Sequence, residues 1–548
     1  MASRLLIILL LFSLSGLGAP TIHIARRGKF VTGKGTAADP FNGATGARLQ
    51  RIVDLAPDGA TLEFGEGVFP LGIRIQKTLT LVGQGARTIL QSERVGMDAI
   101  KFSGEASTLT VRNLQMRYTG GWGDASAVTE GISLAAAADS VILDRVVFRD
   151  FYNCVYTSAP VRRLVVTNCQ FLYSYGRAGV SNAPPFQHPA VAVLGSGSEE
   201  TIVRDCYFDG LLDPAFRGVK GNPPISQRTP MDGLYKTGGG NPKLTLIENN
   251  VVRNHGIEGI LCERLEFSGT YITRVRGNKI IGPMYKEHSF YGNYCPAVLI
   301  LNIQGAEVSG NSIENSPLGI DVSFTKWADS NACTITDNAI TNVVIGTRIT
   351  NGGSKTIFSH NRVVCSSEPA KSVHSPDIEW CGLMGVAASG NPAIRSNSFR
   401  ATDPAWDART NLISRDMNRF SLSNTRGIIP GQGVLISLSS KGLGYFPVQG
   451  ISGNTITIAP EWAASQPSPP PEKLVYARKL GNFTELGAVC SFGASSRVVV
   501  ENNRISGFLQ DVASSNGGTI VARDNQATGV LRIQPPSRHF QQKGANAP

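Results

Sequence analysis

The chain has 548 residues, with 60 Gly and 30 Pro, 41% hydrophobic and only 17% charged residues, and a formal net charge of +11. Average usage is about 7% Gly and about 25% charged, so ample apolar content with little charge excludes a disordered chain. Glycines without a three-residue period exclude collagen, and so many of them argue against a helical bundle, where each would cost about 1 kcal/mol.

The first residues predict a secretory signal over 1–18. Arg4 supplies the positive start, Leu5 to Leu14 the apolar stretch, and Gly16-Leu17-Gly18 a small-residue cleavage site. Ten residues are too few to span a bilayer, which takes about 20, and no later segment approaches that length. The expectation is a secreted or periplasmic protein with no membrane span. Nine cysteines permit disulfides in that setting but are too sparse to frame the fold. The basic surplus contains no Lys/Arg run dense enough for a nucleic-acid stripe, so no nucleic-acid partner is expected. It suits an anionic polymer as well as it suits simple solubility.

From residue 160 onward one phrase recurs: an alternating apolar strand, then Asn, any residue and an apolar residue. It stands at Asn250-Val251-Val252, Asn278-Lys279-Ile280, Asn311-Ser312-Ile313, Asn338-Ala339-Ile340, Asn361-Arg362-Val363, Asn397-Ser398-Phe399 and Asn503-Arg504-Ile505, and more weakly at Asn525-Gln526-Ala527. Cys169 and Cys206 hold the Asn position upstream. The shortest spacings are 22 residues (503 to 525) and 23 (338 to 361). A second short strand follows in each unit, at 191–194, 234–237, 260–263, 298–301, 320–323 and 347–350. Short strands with Gly and Asn corners at this period predict an all-β solenoid, each coil laying its strands parallel to the next about 4.8 Å away. Stacked Asn amides would satisfy the backbone at one corner.

This Asn repeat resembles the right-handed parallel β-helix, or pectin-lyase-like, superfamily. So does the opening Gly35-Thr36-Ala37-Ala38-Asp39-Pro40-Phe41 with Gly65-Glu66-Gly67-Val68-Phe69 and Leu81-Val82-Gly83-Gln84-Gly85. The resemblance covers roughly residues 21–400 and 485–535 and implies a carbohydrate-active protein. The organisation expected is a β-helix with an N-terminal cap over 19–400, an inserted small β-domain over 401–484, final coils over 485–535 and a tail over 536–548. The insert is read from the 106-residue gap between Asn397 and Asn503 and from its hairpin-like strands.

Excess length falls after the ladder strand at 172–189, 209–231, 281–296 and 364–380, where loops would wall a groove floored by the following strands. Alternation turns Tyr235, Asp321 and Arg348 outward. Lys236 would then face an apolar interior, so a bulge or one-residue slip is expected there. The groove candidates are Tyr235, Lys236, His255 and Arg264 for catalysis. Asp232, Glu258, Glu263, Tyr285, Lys286, His288, Tyr294, Asp321 and Arg348 are candidates for substrate contact. Each has a plainer reading: His255 as a turn residue, Glu263 and Arg264 as a surface ion pair, and Lys286 and His288 as ordinary loop residues.

The chemistry stays open between three readings. β-Elimination on a uronic-acid polysaccharide needs a base, a cation and an acid, which His255, Lys236 or Arg264, and Tyr235 supply. Glycoside hydrolysis needs two carboxyls about 5–9 Å apart, available from Asp232, Glu258, Glu263 and Asp321. A non-catalytic carbohydrate-binding or adhesin surface is the third. No Cys/His spacing resembles a zinc site; metal binding through Asp or Glu stays open, and calcium is the cation that would suit an acidic polymer. Cys169 and Cys206 stand close enough to bond or stack, and Cys365 with Cys381 could clip a loop.

Overall fold

The computed structural model describes residues 19–27, 32–93, 96–120, 130–151, 153–157, 159–172, 191–193, 198–209, 234–236, 243–253, 255, 258–263, 272–282, 296–316, 318–366, 384–402, 408–410, 412–416, 418–425, 430, 433–437, 443–458, 475–477, 487–492, 496–508, 512–515 and 519–527. The expected signal segment 1–18, most of the four proposed wall loops and the tail from 528 lie outside them. The chain divides into two compact units, 1–283 with 298–311, and 284–297 with 312–548.

In the first unit the coils repeat one short programme. A strand approaches a corner, one residue takes a left-handed conformation, and a second strand leaves. Leu143, Val166, Val203, Ile247, Val275 and Val308 are register partners on successive coils. All are fully buried. Beyond the corner Phe148, Phe171, Phe208, Val252 and Ile280 form the next inward column. There the rings of Phe171 and Phe208 stack with centroids 4.6 Å apart. Arg145, Asn168, Asp205 and Asn249 occupy the corner at φ of 54° to 56°. Asn and Asp tolerate this region because their side chains bond locally, which explains their recurrence just before the ladder position.

The ladder itself is a chain of buried amides. Asn250 Nδ2 donates to Asn278 Oδ1 at 3.0 Å, and Asn278 Nδ2 to Asn311 Oδ1 at 3.0 Å. The same nitrogens also donate to the carbonyls of Val203 and Ile247. Cys206 closes this run through its own N–H, bonded to Asn250 Oδ1 at 3.0 Å. Cys169 and Cys206 are buried free thiols, not a disulfide. Each donates to a local carbonyl, Thr167 and Arg204 respectively.

A third strand per coil completes the turn. Ile73, Ile100, Ile132, Val155, Val191, Leu234, Ile260 and Val298 are successive parallel partners. Its open edge at Ile73–Ile75 is covered by the helix Gly46–Leu55. Gln50 on that helix accepts from Arg74 N at 2.7 Å and donates to Arg74 O at 2.9 Å, imitating a further strand.

The second unit follows the same programme. Ile335, Phe358, Ile394 and Val500 are inward partners, and Asn338, Asn361, Asn397, Asn503 and Asn525 form its ladder. Asp337, His360, Ser396, Asn502 and Asp524 take the left-handed corner. Met384 pairs with Gly487 and Ser398 with Arg504, so the helix resumes in register after residues 402–486 depart. Within that excursion the described strands are antiparallel, among them Gly433–Ser437 with Leu443–Ser452. Cys365 is buried and donates to Met384 O; its expected partner Cys381 lies outside the described residues. The architecture is an all-β parallel β-helix.

Where the third strand starts, Gly319, Gly346 and Gly385 let neighbouring backbones close up. A Cβ on Gly346 would lie 2.4 Å from Gly385 O and 2.4 Å from Val363 Cγ1. Neither the backbone nor the packed core beneath it can yield that far. Gly346→Ala is expected to cost about 1–3 kcal/mol and lower the thermal midpoint by several degrees. Gly46→Ala, where a Cβ meets nothing within 4 Å, should leave it unchanged or raised.

Candidate active site

The described residues bring acidic side chains together at the start of the third strand, on coils earlier than those the sequence singled out. Ile100 and Ile132 are partners, as are Glu130 and Asn153. Two residues before Ile100, Asp98 therefore stands beside Glu130, and Ala99 N donates to Glu130 O at 2.8 Å. The column thus runs Asp98, Glu130, Asn153. Register puts Lys101, Ser133 and Tyr156 in the row three residues further on, again one per coil.

Glu130 is only 9% exposed. Burial is the largest influence on its carboxyl, and the neighbouring Asp98 charge adds to it. Bonds from Ser133 and Asn153 and the Lys101 charge oppose them, yet the pKa is pushed up to about 7. Asp98 is also raised, by burial, with Ser133 bonded to it and Lys101 opposing. Ser133 thus serves both carboxyls. Tyr156 is raised by burial and then by the Glu130 charge, which keeps it a phenol. Asn153 Oδ1 is buried and has no hydrogen-bond partner among the described residues. Two neighbouring carboxyls, one of which holds its proton up to about pH 7, can give and take a proton.

The residues expected from sequence are placed as follows. Tyr235 and Lys236 pair in continuous register with Ala192 and Val193 on one side and Leu261 and Cys262 on the other. The anticipated bulge or slip is absent, because both neighbours hold the strand in register. Tyr235 thereby belongs to the Lys101–Ser133–Tyr156 row, two coils beyond Tyr156. Glu258, two residues before Ile260, belongs to the Asp98–Glu130 column and is 3% exposed; His255 is 1% exposed. Glu263 is half-buried at the end of its strand.

In the second unit Asp321 and Arg348 face each other across paired strands. Arg348 Nη2 and Nε reach Asp321 Oδ2 at 2.8 and 3.0 Å, and Ser323 Oγ donates to Oδ1 at 2.6 Å. Burial still holds the Asp321 carboxyl above its ordinary range, with Arg348 opposing. Asp232, Arg264, Tyr285, Lys286, His288 and Tyr294 lie outside the described residues. Among the described residues there is no group of three His, Cys, Asp or Glu that could hold a metal ion. Nor is any helix long and apolar enough to cross a membrane.

Asp98 and Glu130 escaped the sequence reading because the Asn phrase does not reach their coils. Leu114 and Val146 hold the ladder position there, directly after left-handed Asn113 and Arg145. The usable signal was the apolar alternation of Ile100-Lys101-Phe102 and Ile132-Ser133-Leu134, each preceded two residues earlier by an acid.

No family model matches the chain, and no curated protein matches its sequence. Solved structures do. The GH136 lacto-N-biosidase from Eubacterium ramulus shares 11% identity, covering 70% of this chain and 68% of its own, at a TM-score of 0.36. The tailspike gp49 of Acinetobacter baumannii bacteriophage Fri1, a capsular polysaccharide depolymerase, shares 12% over 85% of each chain at 0.32. A tailspike double mutant of E. coli bacteriophage HK620 shares 14% over 79% and 90% at 0.31.

The protonation of Glu130 has a consequence for stability. A carboxyl whose folded pKa lies near 7 against an ordinary 4.5 stabilises the fold fully below 4.5. That contribution, on the order of 3 kcal/mol, is lost as pH rises through 7. Glu130→Gln removes the titration. Its thermal midpoint relative to wild type is expected to climb steadily between about pH 4.5 and 8, and a difference that stays flat with pH would contradict the assignment.

Proposed function

We propose that the protein is a glycoside hydrolase acting on a polysaccharide through Asp98 and Glu130. The observation that carries this reading is the Glu130 carboxyl, held near 7 beside a second acid and bonded to Ser133 and Asn153. Glycosidic oxygen is a poor leaving group until protonated, so cleavage needs a proton donor and an opposed carboxylate. Glu130 is the donor, because burial lets it hold its proton up to about pH 7. Asp98, less strongly raised, is the carboxylate that supports the developing positive charge on the sugar or activates water. Ser133 positions both carboxyls. Tyr156 and the unmatched Asn153 Oδ1 suit sugar hydroxyls, and Lys101 moderates the paired negative charge.

The carbohydrate class rests on the resemblance of the Asn repeat to pectin-lyase-like proteins and on the hydroxyl-bearing sheet row of Ser133 and Tyr156. Hydrolysis takes precedence over the expected β-elimination because the perturbed groups are carboxyls. Of the elimination set, His255 is buried at 1% exposure, which does not suit a base that must meet the substrate.

A panel of neutral and acidic polysaccharides tests the reading. New reducing ends without the ultraviolet absorbance of an unsaturated uronide are expected, and that absorbance would overturn it in favour of elimination. Glu130→Gln should lower kcat/KM by about 10²–10⁴-fold. Wild-type activity should fall on the alkaline side near pH 7, as Glu130 loses its proton. Asp98→Asn should also be strongly impaired, and its residual activity should decline at lower pH, since removing the Asp98 charge lets Glu130 ionise earlier. An unshifted limb would separate the two residues.

A further inference from the structure

In the first unit, several outward arginines are answered by acids on a neighbouring coil. Arg163 meets its register partner Glu200 at 3.2 Å, Arg274 meets Glu307 at 3.3 Å, and Arg276 meets Glu248 at 2.5 Å. Arg162 reaches Asp139 at 2.7 Å. Coils about 4.8 Å apart place such partners side by side, so charge alternation along a row neutralises the face.

The strand just after the ladder in the second unit shows no such pairing. Its two outward rows read Ser312, Ala339, Arg362, Ser398, Arg504, Gln526, and Glu314, Thr341, Val364, Arg400, Ser506. Arg362, Arg400 and Arg504 are all exposed. Their register neighbours are Ala, Ser, Gln and Val, and none of the three has an ion-pair partner among the described residues. Glu314, the acid of these rows, stands two coils away from the level of Arg362. On the adjoining face Arg395 and Arg523 flank Glu501 by register. Arg362 and Arg504 lie two coils apart, about 10 Å, with Arg400 in the neighbouring row on the coil between.

We propose that this arginine face binds an anionic polysaccharide along the coil axis, through carboxylate or sulfate groups presented at intervals of two coils. The β-helix makes the face nearly straight, and the ladder beneath it is fixed. Asn361, Asn397 and Asn503, each immediately before a face strand, are bonded in series and buried. The guanidinium groups are therefore presented from a rigid base, and each can take an oxyanion through paired N–H donors. Three cations in a short line fit a linear polyanion with widely spaced charges better than a nucleic-acid duplex. A duplex carries a charge every ~1.7 Å and is held by broader basic surfaces.

The test uses the full-length protein and its affinity for polygalacturonate, with dextran as the neutral control and duplex DNA as a third arm. Wild type is expected to bind polygalacturonate in a salt-sensitive manner and to ignore dextran. The triple variant Arg362→Gln, Arg400→Gln, Arg504→Gln should bind at least about tenfold more weakly, with an unchanged thermal midpoint because all three side chains are exposed. A control removing the same net charge at paired sites, Arg162→Gln, Arg163→Gln, Arg274→Gln, should retain most of the affinity. Glu130→Gln should bind as wild type, which separates this surface from the proposed catalytic site. Equal loss in both triple variants would mean general charge attraction and overturn the proposal. So would tighter binding to DNA than to polygalacturonate, or no binding to polygalacturonate at all.

Discussion

Everything in this protein depends on one geometric constraint: each coil must lie on the next in register, about 4.8 Å away. The asparagine ladder enforces it at one corner. A left-handed residue turns the chain, and the following amide is then buried with two donors and an acceptor to satisfy. Asn278 meets that demand by accepting from Asn250 and donating to Asn311 and to Ile247 O. An isolated buried amide would be costly, but a row of them is self-satisfying. Slipping one coil by one residue would break the bonds above and below together, so register is a cooperative property of the stack.

Because register repeats, chemistry is organised in columns. A residue type at one strand position meets the same position on two neighbouring coils, and the result depends only on what stands there. Phenylalanines at 148, 171 and 208 give stacked rings. Arginine beside glutamate gives surface pairs worth under about 1 kcal/mol each. Acid beside acid, at Asp98 and Glu130, gives something else. The two charges are forced together by a backbone that cannot move apart, while burial removes the water that would screen them. The pair answers by keeping a proton.

Much of the fold was legible in the sequence because the constraint writes itself into residue identity. The Asn–x–apolar phrase marks the ladder from Asn250 to Asn525, and Asn, Asp or Gly before it marks most of the corners. His360, Ser396 and Arg145 take the same left-handed corner without the usual residue type, and no local signal distinguishes them. The candidate site was less legible. In its coils the ladder position is Leu114 or Val146, apolar residues that fill space without making the amide chain. The repeat therefore leaves no count from which to align Asp98 with Glu130. The continuity of the strand at Tyr235 and Lys236 was also hidden, since burying a lysine looks costly on its own while the pairing on both sides that fixes its backbone is non-local.

The two units share a coil programme yet differ in how their faces are charged. In the first, several arginines pair with acids on neighbouring coils, and two acids, Asp98 and Glu130, meet at the start of the third strand, where burial raises both carboxyls. In the second, the buried Asp321 pairs with the partly exposed Arg348 across the third-strand sheet, while Arg362, Arg400 and Arg504 have no acid as a register neighbour among the described residues. A solenoid can support such differences at little cost to its fold, because outward residues take no part in the ladder or the core. The inward columns specify the stack, and each outward row is free to be neutral, acidic or basic. Function on this fold is therefore a question of which rows depart from alternation, and Asp98–Glu130 and Arg362–Arg400–Arg504 are two such departures.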